Sequence, residues 1–158
     1  MKKKYLDKFY NNTITYKQYE VFATALPITL LHKNMFNETE QFLKEKYDLL
    51  HSHIDVLATL YFNDNALSPT ELYDATVFSS GGMTKVLKKL EERKYISRTP
   101  SLEDKRSLLV CLTPLGSQLV EESLGQIAQH KEKIFNVLTP KEKENLKNIL
   151  SKLTYSLY

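Results

Sequence analysis

Cysteine, glycine and tryptophan are scarce in this chain: one Cys, four Gly and no Trp stand among 158 residues. A single cysteine, Cys111, cannot close an intramolecular disulfide or build a multi-cysteine zinc site. Charge-free stretches such as Val21 to His32 fall well short of the roughly 20 residues a membrane-spanning helix needs, so no membrane partner is expected. The basic start Met1-Lys2-Lys3-Lys4 leads into Tyr5-Leu6-Asp7-Lys8 rather than an apolar signal core, and the expected location is the cytoplasm. There is no Gly-rich phosphate loop, no His-Glu-x-x-His and no nucleophile elbow, so neither an enzyme nor a cofactor is expected. His51 and His53 are the close histidine pair. A spacing of two turns their rings to different faces of a helix, so no metal site is expected either.

What remains is an ordinary globular balance, 42% apolar and 26% charged, at a length that fits one domain. The net charge of +3 is small, but it is not evenly spread. Residues 79–106 hold eight Lys and Arg against four Asp and Glu, a net of +4, so the other 130 residues sum to −1. Five lysines among the first twenty residues, against Asp7 and Glu20, form a second basic cluster. Focused positive charge is the electrostatic footprint of a polyanion binder, although a solvated helix face gives the same count.

Helix starts are legible. Ser68-Pro69-Thr70-Glu71 and Thr139-Pro140-Lys141-Glu142 each hold a capping box with Pro at the first helical position, and Thr113-Pro114 opens a third helix without the Glu. From these starts the chain is expected to be mainly α-helical. A long helix runs from about Tyr16 to Tyr47 with an interruption or kink near Pro27. Short helices follow at His53 to Asn63 and Pro69 to about Phe78, and a fourth helix spans Ser79 to Lys94. Strands at Tyr95 to Thr99 and Ser107 to Thr113 form a small hairpin, and two long helices complete the chain. A short helix, a turn, a second helix and a hairpin describe a winged helix-turn-helix. Apolar residues at both ends (Tyr5, Phe9, Tyr16, Phe22; Leu146, Leu150, Leu153, Leu157) call for a second subunit. The expected layout within one structural domain is therefore an N-terminal helical dimerisation region, 1–52, a winged helix-turn-helix, 53–113, and a C-terminal helical dimerisation region, 114–158.

On the fourth helix, Met83, Val86, Leu87 and Leu90 fall on one side, while Ser80, Gly81, Thr84, Lys85 and Lys88 fall on the other. Small polar side chains near a helix N-terminus, followed by lysines, suit entry into a DNA major groove, with Ser79 as cap. The hairpin tip holds Asp104, Lys105 and Arg106. Arg106 suits the negative potential of a narrow minor groove, and Asp104, two residues away, can hold its guanidinium. A charged solvated turn is the plainer explanation of the same residues.

From Leu67 to Gly116 the chain resembles the MarR family of winged helix-turn-helix transcriptional regulators. The matching pieces run in order: Leu67-Ser68-Pro69-Thr70-Glu71-Leu72, Ser79-Ser80-Gly81-Gly82-Met83-Thr84-Lys85, Leu90-Glu91, Ile96-Ser97-Arg98, Glu103-Asp104-Lys105-Arg106 and Leu112-Thr113-Pro114-Leu115-Gly116. The resemblance implies a homodimer with interleaved terminal helices, a recognition helix in the major groove and a wing in the minor groove. Its target would be a pseudo-palindromic double-stranded operator, and a small aromatic or anionic effector would release it as a repressor. It places Ser80, Gly81, Thr84, Lys85 and Lys88 on the reading helix, capped by Ser79, and Asp104 and Arg106 at the wing. Ser68, Thr70, Arg98 and Lys105 fall at backbone positions, with Ser68 and Thr70 at a helix N-terminus. His51, His53, Tyr61 and Phe62 become candidate effector-lining residues, with ordinary core and interface roles as the alternative.

Two positions depart from the family pattern. Lys94 stands where members usually have Gly, and no cysteine lies near the start of the chain. If the backbone at Lys94 is left-handed, lysine carries about 1 kcal/mol of strain and the wing leaves the helix at a different angle. The rival function is a winged-helix protein-interaction module that does not bind DNA.

Overall fold

The computed structural model describes residues 3–76, 82–101 and 108–158. They fall into two compact units, Met1–Asp48 and Leu49–Tyr158.

In the first unit, helix α1 (Lys3–Thr15) is followed by a 3₁₀ turn at Lys17–Tyr19 and by helix α2 (Val21–Tyr47). The sequence led us to expect one helix beginning near Tyr16. Instead Tyr16 is extended, at φ −110° and ψ 99°, and separates two helices. The preceding threonines bond locally: Thr13 donates to the Phe9 and Tyr10 carbonyls, and Thr15 to the Asn11 carbonyl at 2.9 Å. Such back-bonding beside β-branched residues weakens helix continuation. Pro27 lies inside α2, which continues through it even though proline offers no N–H to the carbonyl one turn earlier.

The second unit carries the helix-turn-helix. Helix α3 spans His51–Tyr61, two residues earlier at each end than the sequence indicates. Its start is fixed by an unusual cap, in which the Leu50 amide donates to His53 Nδ1 at 3.0 Å. After Asp64 and Asn65, both left-handed, comes strand β1 (Ala66–Leu67), then helix α4 (Pro69–Ala75) and helix α5 (Met83–Glu92). Helix α4 stops at Ala75 because Thr76 turns extended, at ψ 145°. Strands β2 (Ile96–Pro100) and β3 (Leu108–Leu112) pair antiparallel, with Ile96 opposite Leu112 and Pro100 opposite Leu108. The sheet has a third strand that the sequence did not announce: β1 pairs with β3, Ala66 opposite Cys111, giving the order β1-β3-β2. Helices α6 (Pro114–Phe135) and α7 (Pro140–Tyr155) complete the unit.

One core joins these elements. Ile54, Val56, Leu57 and Leu60 of α3 are buried with Leu72 of α4, with Met83, Val86, Leu87 and Leu90 of α5, and with Ile96, Val110, Leu119 and Val120. Each such side chain contributes about 1.5–3 kcal/mol on burial. The two capping boxes form as expected. Ser68 Oγ accepts from the Glu71 amide while Glu71 accepts from the Ser68 amide, and Thr139 pairs with Glu142 in the same way. These hydrogen bonds favour the carboxylate and hold both Glu71 and Glu142 below the usual carboxyl range. Helix α7, by contrast, buries none of its residues, and Ile149, Leu150 and Leu153 stay exposed.

Candidate nucleic-acid interface

The two faces of α5 are cleanly divided. Met83, Val86, Leu87 and Leu90 are buried, so Thr84, Lys85 and Lys88 must point outward, and all three are exposed. Lys88 Nζ lies 3.9 Å from Glu92 Oε1, a loose and exposed pair that leaves the cation accessible to an anion. Ser79, Ser80 and Gly81, expected to cap and open this helix, lie outside the described residues, as do Asp104, Lys105 and Arg106 at the wing. Gly82 is the N-cap of the described helix.

The C-terminus of α5 determines where the wing begins. The Lys94 amide donates to the Glu91 carbonyl at 2.9 Å and the Tyr95 amide to the Leu90 carbonyl at 3.0 Å, the paired bonds of a Schellman motif. That motif needs a left-handed residue after the helix, and Lys94 supplies it at φ 60°. Lysine therefore adopts the turn that glycine takes more easily. Lys94→Gly is expected to raise stability by about 1 kcal/mol, or about 2–4 °C in Tm for a chain of this size. Thermal unfolding of both proteins at matched concentration checks it, and an unchanged or lower Tm would show that this turn stores no strain.

Beyond the turn, Arg98 Nε lies 3.4 Å from Glu91 Oε2, linking β2 to the last turn of α5. The guanidinium assigned to phosphate positioning is thus shared with a carboxylate, an exposed pair worth about 0–1 kcal/mol. Ser68 is similarly engaged. Its hydroxyl and amide are both used in the α4 capping box, which also places the Glu71 carboxylate at that helix end. A phosphate there would meet Thr70, which is exposed, beside a negative charge.

The candidate effector residues do not converge on one point within α3. His53 is 4% exposed and its Nδ1 accepts from Leu50, so it closes the start of the helix. His51, half-buried, is two residues earlier. Tyr61 and Phe62 lie at the other end, about 12 Å along the axis at 1.5 Å per residue. Tyr61 donates its hydroxyl proton to Glu121 Oε1 at 3.0 Å, and this bond raises its pKa. Phe62 is 71% exposed. Cys111 sits half-buried in β3 with Sγ 3.0 Å from Thr99 Oγ1. Among the described residues no group of three or more His, Cys, Asp or Glu is placed to hold a metal ion, and no helix is long and apolar enough to cross a membrane.

A short capped helix, a second helix with a cationic outer face, and a small antiparallel sheet continuing from it define a winged helix-turn-helix, a nucleic-acid-reading class. Comparison with known proteins narrows this. The family model described as the MarR family matches residues 47–107. The transcriptional regulator SarZ of Staphylococcus aureus is 33% identical over 126 residues, covering 76% of this chain and 81% of that protein. Among solved structures, S. aureus MepR bound to DNA superposes with a TM-score of 0.71 at 24% identity, covering 85% of this chain and 98% of that one. Bordetella bronchiseptica BpsR, whose DNA binding is regulated by 6-hydroxynicotinic acid, gives 0.67 at 25% identity, covering 82% and 91%. The chain belongs to the MarR family of winged-helix transcriptional regulators.

Proposed function

We propose that the protein is a homodimeric, cytoplasmic repressor that binds a pseudo-palindromic operator in double-stranded DNA and is released by a small aromatic or anionic effector. The observation that carries the reading is the two-sided α5. Its buried Met83, Val86, Leu87 and Leu90 fix the helix against the core, so that Thr84, Lys85 and Lys88 are presented outward. In this reading Thr84 and Lys85, with Ser79, Ser80 and Gly81 before them, meet base edges in the major groove. Lys88, Thr70 and Lys105 position the backbone, and Arg106, steadied by Asp104, enters the minor groove. Arg98 acts from its pair with Glu91. Ser68 serves through its helix cap.

The dimer is supported by apolar surface that the single chain leaves exposed, including Tyr16, Tyr19, Val21 and Phe22 at one end and Ile149, Leu150 and Leu153 at the other. SarZ-like identity favours a regulator over an enzyme. The effector class follows what the BpsR structure describes for that protein.

Binding to a duplex carrying the protein's own upstream region, titrated in salt and paired with sizing, tests the reading. Affinity should survive excess non-specific competitor and fall steeply as salt rises, with a log–log slope of about −0.9 for each phosphate neutralised. Weak binding to every duplex by an intact dimer, with and without aromatic acids, would overturn the reading and favour a protein-interaction module.

A further inference from the structure

We propose that Thr113 is a positioning residue for DNA reading: its hydroxyl, at the head of α6, sets the direction in which the wing leaves the recognition helix. This rests on the DNA-binding reading above and goes beyond it by naming what aims the wing. Thr113 Oγ1 lies 2.7 Å from the Lys94 carbonyl and 3.1 Å from that of Tyr95, and it accepts the Gly116 amide at 3.0 Å. The Thr113 amide also donates to the Tyr95 carbonyl, at 3.0 Å. Lys94 and Tyr95 are the last two of the three residues between α5 and β2, so the first turn of α6 grips the joint through which the wing leaves the recognition helix.

Comparison with the cap of α7 shows that this grip is more than a helix cap. At Thr139 the hydroxyl proton goes to the helix's own Glu142, with Oγ1 2.7 Å from Oε2. In α6 the equivalent third position is Gly116. Glycine cannot take the proton, so it is free to reach nineteen residues back to Lys94. The same glycine lets the backbones approach, since a Cβ there would fall inside 3.0 Å of the Tyr95 carbonyl oxygen. The lever is long. Five residues of β2 span about 17 Å, so a tilt of about 10° at Tyr95 moves the far end of the strand by about 3 Å, enough to lose a hydrogen bond or a groove contact.

The test measures operator affinity of the full-length protein for Thr113→Ser, Thr113→Val and Thr113→Asp, each with and without Arg106→Ala, at a temperature well below every Tm. Serine keeps both hydroxyl functions and should bind within about twofold of the wild type. Valine should lose roughly thirty- to a hundredfold, since a misdirected wing forfeits the Arg106 contact. Aspartate caps the Gly116 amide as well as threonine does but has no proton for Lys94, and it keeps the test open should the valine protein fail to fold. The decisive readout is coupling. Arg106→Ala should cost less than about threefold in the valine or aspartate background, against its full cost in the wild type, because a misdirected wing has already lost that contact. A uniform charge penalty from aspartate cancels in this ratio. If Thr113→Val lowers Tm but binds like the wild type, or if Arg106→Ala costs the same factor in every background, Thr113 is a helix cap only. If the wild type itself binds no duplex, the DNA-binding reading fails first.

Discussion

Arg106→Ala is expected to weaken operator binding by roughly a hundredfold while leaving the dimer intact. The argument combines charge, geometry and symmetry. Arg106 falls in the sequence between the two strands of the hairpin, at the end of a basic segment, residues 79–106, that carries a net +4. Base-reading arginines typically carry about 1–3 kcal/mol each. A two-fold dimer loses two of them, about 2–6 kcal/mol, and a factor of ten corresponds to about 1.4 kcal/mol. Lys88→Ala, at a backbone-positioning lysine, should behave differently. A phosphate-contacting lysine contributes little sequence information, so its loss should weaken binding to all duplexes alike and flatten the salt slope by about one unit for each subunit. Measuring both variants on operator and scrambled duplexes separates the roles. If Arg106→Ala weakens both duplexes equally, or leaves operator affinity unchanged, the wing does not read the minor groove.

How far these roles could be read in advance depended on the range of the interaction. The Ser68 and Thr139 caps and the Met83, Val86, Leu87, Leu90 stripe were legible because each partner lies three or four residues away and obeys helical spacing. The hairpin was legible because its β-rich run is continuous from Leu108 to Leu112. Strand β1 was not. Its two residues have no periodicity and form a strand only because Cys111 and Val110, far along the chain, lie opposite them. The start of α3 was missed because histidine at the third position is not a recognised cap, although His53 Nδ1 acts as one. Helix α1 was missed, since the expected first helix began at about Tyr16, one residue after α1 has ended.

At the candidate site, charge counting picked out residues 79–106, and helical spacing separated the buried from the exposed face of α5. It could not show that Arg98 is paired with Glu91 seven residues away, or that Ser68 is occupied by its own cap. Nor could it show that Thr113, which looked like an incomplete capping box, reaches across to Lys94. Each of these is a side-chain contact between elements, which spacing within one element does not encode.

Gly116→Ala should be the most destabilising small substitution in this region, lowering stability by about 3 kcal/mol. Two effects oppose each other. Alanine is favoured over glycine in a helix interior by about 1 kcal/mol. Against this, the new Cβ would lie 2.8 Å from Leu112 Cδ1 and 3.0 Å from the Tyr95 carbonyl carbon, with the carbonyl oxygen closer still. That oxygen cannot retreat freely, because it accepts the Thr113 amide at 3.0 Å and has the Thr113 hydroxyl 3.1 Å away. Helix α6 would have to back away instead, drawing Leu119 and Val120 out of the core, and overpacking against backbone lies at or beyond the usual 1–3 kcal/mol. Gly125, in the same helix, has nothing within 4 Å of where a Cβ would stand, so Gly125→Ala should gain the helix-propensity term alone. Tm should therefore fall by about 6–12 °C at residue 116 and rise by about 2–4 °C at residue 125. Thermal unfolding at one fixed protein concentration compares them, since a dimer's Tm depends on concentration. Shifts of the same sign at both positions would mean that α6 does not press on Tyr95.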